Sequence, residues 1–87
     1  MINKVEKNFL NREFLRLAII AELDAVNLYE QLAAATENKG IRKILLDLAK
    51  EEKTHIGEFQ TLLLKVDQEQ VEELKRGKEE VEEELGL

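Results

Sequence analysis

With 87 residues the chain has room for one small domain spanning its whole length, and a core of that size buries too little surface to be comfortably stable alone, so self-association is expected. Proline and cysteine are absent and glycine is scarce; Ala, Leu, Glu and Lys dominate, which makes an all-α fold the default and excludes disulfides and thiolate-bound zinc or iron. The formal net charge of −6 argues against nucleic acid and against an anionic membrane surface as partners, while remaining permissive for cations.

The N-terminal stretch Met1 to Leu10 alternates polar and apolar residues and does not read as a signal peptide. The most apolar stretch, Phe14 to Val26, is interrupted by Arg16, Glu22 and Asp24 and is too short to span a bilayer, so a cytoplasmic protein is expected. From about Asn11 to Glu37, Leu15, Ala18, Ile19, Ala25, Val26, Leu32 and Ala33 recur at helical spacing, with Asn11 as the expected N-cap. Asn38-Lys39-Gly40 supplies the stop, because Asn and Gly tolerate the left-handed conformation that ends helices. A second stripe, Leu45, Leu48, Ile56, Phe59, Leu62, Leu63 and Val66, predicts a helix over about 41–66. The link is so short that the two must fold back as an antiparallel hairpin. Asp67, with Gln70 three residues on, reads as a capping box opening a third helix over about 68–85. Val71, Leu74, Val81 and Leu85 give that helix only a thin apolar stripe, and Gly77 interrupts it, so it is expected to dock on a neighbour or fray. The acidic run Glu79 to Glu84 reads as a solvated face.

Three polar residues break the apolar pattern. Glu22 lies on the core stripe, a turn after Ala18 and Ile19, a turn before Val26 and two turns before Tyr29, where a carboxylate is expensive unless paired or metal-bound. Glu52 and His55, the only histidine, interrupt the second stripe between Leu48 and Phe59, on one face of their helix. Counting outward from a turn centred near residue 38 or 39, Glu22 lies roughly 16 residues before it, His55 roughly as many after it, and Glu52 about one turn nearer. All three therefore fall at one level of the hairpin. Ferritin-like two-iron bundles need a Glu from each of two helices and a Glu-x-x-His from each of the other two, all pointing inward. This hairpin supplies one of each, so a symmetric dimer would complete a four-helix bundle with four carboxylates and two imidazoles, enough to offset two divalent ions.

The segment Ala21-Glu22-Leu23-Asp24-Ala25-Val26-Asn27-Leu28-Tyr29, followed by Glu51-Glu52-Lys53-Thr54-His55, resembles the encapsulated ferritins, hairpin members of the ferritin-like superfamily. The likeness covers about residues 11–66. It implies that the matching residues bind iron across a homodimer interface, two ions per dimer, with Glu52 a bridging carboxylate, Glu22 and His55 flanking ligands and Tyr29 a partner beside the metal. The implied activity is ferroxidase, oxidation of Fe(II) by dioxygen for iron storage. The implied setting is a ring of dimers, a decamer, which the third helix helps build inside an encapsulin shell or nanocompartment. Family members carry an acidic residue just before the metal Glu and an aromatic just before the Tyr, associated with a secondary metal site. Here those positions are Ala21 and Leu28. The tail Glu84-Leu85-Gly86-Leu87 shows no clear shell-targeting peptide, which fits either a protein without a shell or a domain separated from a fusion.

The residues leave other readings open. Tyr29 on a core stripe is also explained by packing, and Asp24, Glu30, Glu51 and Glu58 read best as solvated flanks. A site of oxygen and imidazole donors accepts Mn or Zn as well as Fe. The same site could serve a rubrerythrin-like peroxide reductase with an external electron donor. The rival from another class is a non-enzymatic helical oligomerisation module enclosing a polar network.

Overall fold

The computed structural model describes the backbone of residues 4–87 and the side chains of residues 7 and 9–87; the expectation for Met1 to Leu10 lies partly outside them. Three helices follow in order, α1 Lys4–Ala35, α2 Lys39–Val66 and α3 Gln68–Leu85, and no strand occurs among the described residues. No described helix is long and apolar enough to cross a membrane.

Helix α1 passes straight through Asn11, which is therefore not its N-cap. Nothing between Lys4 and Asn11 is a helix breaker, and a cap-prone residue in a chain without Gly or Pro nearby does not by itself start a helix. Helix α1 also ends at Ala35 rather than Glu37, and Asn38-Lys39-Gly40 works as a start signal rather than a stop. Asn38 is extended, with φ −81° and ψ 117°, and caps α2 by accepting the Ile41 backbone N–H on Oδ1 at 2.9 Å. Gly40 sits inside the first turn of α2 with ordinary helical backbone. A Cβ there would lie 3.3 Å from the capping Asn38 Oδ1, so the glycine leaves room for the cap. Two carbonyls at the end of α1 are taken by Arg42, whose Nε donates to Ala33 O at 3.1 Å and whose Nη2 donates to Thr36 O just past the helix.

The hairpin seam is thin. Val26 and Ala33 of α1 and Ala49 and Leu63 of α2 are buried, while Leu15, Ala18, Ile19, Leu45, Leu48, Ile56 and Phe59 are only half-buried. Leu32 and Leu62, expected on the core stripes, are 46% and 51% exposed. The molecule is a plate, with principal extents of 51 × 46 × 15 Å. Its radius of gyration is 17.2 Å, where a compact chain of this length would have about 12 Å. The accessible surface is 7093 Å² against roughly 5,300 Å² for a compact monomer of this mass. A single copy thus leaves about as much surface uncovered as two standard interface halves.

Helix α3 runs unbroken through Gly77 to Leu85, not frayed, yet none of its residues is buried. It ends in a Schellman turn: Gly86 takes φ +68°, its N–H donates to Glu83 O at 3.3 Å, and the Leu87 N–H donates to Glu82 O at 2.7 Å. Its N-cap is Asp67, whose Oδ1 accepts the Gln70 N–H at 3.1 Å. Asp67 is the one buried polar residue among the described residues. Its carboxyl is held below the usual carboxylate range, first by the Gln70 backbone N–H and then by the side-chain hydrogen bond from Arg16. A carboxyl lowered in the folded state stabilises it above the unfolded value of about 3.9 and loses that contribution as pH falls through the folded value. Asp67→Asn should therefore be less stable than the wild type by a constant margin from neutral pH down to about 4. That margin should shrink only below it. Thermal melts across pH test this, and a margin already gone by about pH 5 would contradict the assignment.

Candidate metal centre

Glu22 comes from the middle of α1, and Glu52 and His55 from the middle of α2. The short link of residues 36–38 brings them to one level. The structure places one donor atom from each within 4.8 Å of the others. His55 Nδ1 lies 3.4 Å from Glu52 Oε2 and 3.5 Å from Glu22 Oε2. One ring N–H cannot serve both carboxylates well, and both approaches are long for a charge-assisted hydrogen bond. Glu22 Oε2 is consequently buried without a hydrogen-bond partner among the described residues. Leaving a carboxylate oxygen desolvated and unpaired is costly, and a cation would remove the cost. Donors bonded to one such ion at about 2 Å sit roughly 3–4 Å apart, close to the spacing seen.

The cluster is not enclosed. The Glu22 and Glu52 side chains are mostly covered, whereas His55 is 44% exposed and opens onto one broad side of the hairpin. Each pair eighteen residues apart and so on one face of its helix, Phe14 and Leu32 of α1 and Ile44 and Leu62 of α2 are exposed on that side. Phe14 and Leu62 line one open groove between the helices. On α2, Ile41, Ile44, Leu48, His55 and Leu62 follow at steps of three, four, seven and seven residues, the heptad spacing of a helix seam awaiting a partner. Sequence reasoning merged this second stripe with the core stripe, although the steps were there to be read.

Tyr29 is half-buried, two turns beyond Glu22. Among the described residues no hydrogen bond joins its hydroxyl to the cluster. Asp24, Glu51 and Glu58 are exposed. Glu30 is exposed too and accepts Lys53 Nζ at 3.0 Å across the hairpin. Ala21 and Leu28 lie exposed, and neither side chain can ligate a metal.

The class of protein that this hairpin and cluster define is borne out by comparison. A family model described as Rubrerythrin matches residues 13–86. Among solved structures, the encapsulated ferritin domain from Pyrococcus furiosus superposes with a TM-score of 0.90 at 61% identity, covering 92% of this chain and 82% of that one. A ferritin-like-encapsulin shell fusion protein of Pyrococcus furiosus is 65% identical over 75 residues, 86% of this chain and 22% of the relative. An encapsulin nanocompartment cargo protein of Myxococcus xanthus is 40% identical over 65 residues, 75% of this chain and 50% of the relative. The chain thus spans half or less of the length of the curated relatives it matches. It belongs to the rubrerythrin family of ferritin-like di-iron proteins, among the encapsulated ferritins.

Proposed function

We propose that two copies associate over the side onto which His55 opens, completing a two-iron site that oxidises Fe(II) with dioxygen, and that the ferric product is stored inside an encapsulin shell. The observation that carries this reading is the unpartnered, buried Glu22 Oε2 within a three-donor cluster beside an exposed apolar face. A second copy would cover that face and bring a second Glu22, Glu52 and His55. The combined charge of the four carboxylates would offset two ferrous ions.

Iron is the substrate here, and the residues act by holding it. In this reading Glu52, mostly covered as Glu22 is, would bridge two ions and keep them close enough to act together on one dioxygen. Glu22 and His55 flank the pair, and the neutral imidazole keeps the site from accumulating excess negative charge. Two ferrous ions supply two electrons, which with two protons take dioxygen to hydrogen peroxide. Tyr29, two turns along α1 from Glu22, is assigned a role beside the metal, its hydroxyl orienting a ligand. The names of two relatives support the shell, one a ferritin-like-encapsulin shell fusion protein and the other an encapsulin nanocompartment cargo protein. A ring of dimers, the decamer, is the corresponding assembly.

A second reading, reduction of peroxide at the same site, is favoured by the rubrerythrin match. The chain has no cysteine to hold an electron-transfer iron, so that reaction would need an external donor. Anaerobic Fe(II)-loaded protein mixed with dioxygen and, separately, with peroxide distinguishes the two by which oxidant is consumed faster.

Stoichiometry tests the shared site. Fe(II) titration should saturate near one ion per chain, two per dimer, and chelation should shift sedimentation toward smaller species because it leaves four carboxylates facing one another. A single chain binding iron with undiminished affinity would sink the proposal.

A further inference from the structure

Helix α3 has almost nothing to set its direction by packing. It buries no residue, meets α2 only sparsely, and makes no backbone approach to α1. Its course is decided at the joint, where α1 reaches across from the far end of the sequence. Arg12 Nε donates to Val66 O at 2.7 Å, taking one of the carbonyls that the end of α2 leaves without a helical partner. Arg16 Nη2 donates to Asp67 Oδ2 at 2.8 Å. Arg12 and Arg16 are one turn apart on α1 and so reach the joint together. The Arg12 guanidinium is further held over the Phe9 ring, 4.9 Å from its centroid.

Asp67 divides its work. Oδ1 accepts the Gln70 N–H and starts α3, while Oδ2 is given to Arg16. One residue therefore fastens the beginning of α3 to the first helix of the hairpin. The carboxylate is nearly fully covered, so this pair is less screened than the exposed Lys43–Asp47 or Lys78–Glu82 pairs.

We infer that Arg12, Arg16 and Asp67 form a lock at the α2–α3 elbow, which sets the angle between α3 and the hairpin and so the geometry in which copies of the chain can join. The angular part stands on this chain alone. The part about joining copies rests on the homo-oligomer reading given above.

Because the chain has no cysteine, spin labels at Lys50→Cys on α2 and Lys78→Cys on α3 are the only ones present. Labelled chain diluted into an excess of unlabelled full-length chain then reports the distance within one copy. The parent should show a single narrow distance, and Arg12→Gln with Arg16→Gln should lose it to a broad spread. Asp67→Asn should also broaden the distance while keeping helix content, since Asn retains the capping oxygen but not the charge; this separates the lock from the cap. A narrow, unchanged distance in the double arginine variant would overturn the lock, as would an unchanged distance in Asp67→Asn. Sedimentation of the same variants reads the second part, with a uniform parental assembly giving way to mixed smaller sizes. Broadened distances with an unchanged assembly would overturn the link to joining. A parent that sediments as single chains would instead refute the homo-oligomer reading, leaving the label distances to judge the lock.

Discussion

Replacing Glu52 with alanine should bring iron oxidation down to near the rate of Fe(II) in buffer, a loss on the order of a hundredfold or more. Glu52 is the carboxylate proposed to hold two ions together, and each dimer would lose it twice. Glu22→Ala and His55→Ala each remove a flanking donor and should weaken binding and rate by less. Helix content should survive in all three, since alanine is the best helix former. Without metal, Glu22→Ala should melt higher than the wild type, because it deletes the oxygen that is buried without a partner. Tyr29→Phe deletes only a hydroxyl and should change the rate modestly. Stopped-flow absorbance after mixing Fe(II)-loaded protein with oxygen measures each. Wild-type oxidation by Glu52→Ala would put the helical oligomerisation module ahead of the two-iron enzyme.

A charge placed on the open side should dissociate the two copies. Phe14 and Leu62 are 57% and 51% exposed in a single chain, so Phe14→Glu and Leu62→Glu cost little there. In the proposed dimer each would be covered without a partner. At about 3–5 kcal/mol for an uncompensated buried charge, the dissociation constant should rise at least about a hundredfold. Oxidation should fall in parallel at limiting protein, since neither half-site is complete. Ile20→Glu makes a useful control, because Ile20 is equally exposed but lines a groove with Leu64 and Leu74 at the foot of α3. It should leave the two-copy unit intact. Sedimentation velocity decides the matter, and Leu62→Glu associating as tightly as the wild type would rule this face out.

The features that could be read from the sequence are those fixed by short-range counting. The absence of proline, the helical spacing of apolar residues and a link too short for anything but a hairpin were enough for the fold class. Counting outward from that link placed Glu22 level with Glu52 and His55, where the structure brings them together; their roles as ligands are the proposal above. What could not be read depends on contacts distant in sequence. Asn11 looked like a cap because cap preference is local, whereas whether a helix continues past a tolerant residue is not. Gly40 looked like a terminator because the donor that finishes α1 is Arg42, folded back from the next helix. Asp67 was recognisable as a cap from Gln70 three residues on. Its second oxygen is claimed by Arg16, 51 residues away in sequence, and no local pattern announces that. Leu62 was read as core, though with a single neighbouring helix there is not enough protein to bury it.

Loops between helices are ordinarily where a chain tolerates insertions and deletions most freely. The three residues between Ala35 and Lys39 should be an exception. One residue more would advance α2 by about 1.5 Å and turn it by about 100° relative to α1, carrying Glu52 and His55 away from Glu22 while every side chain of the centre remained in place in the sequence. The link works as a ruler, and its length belongs to the proposed metal centre as much as Glu22, Glu52 and His55 do.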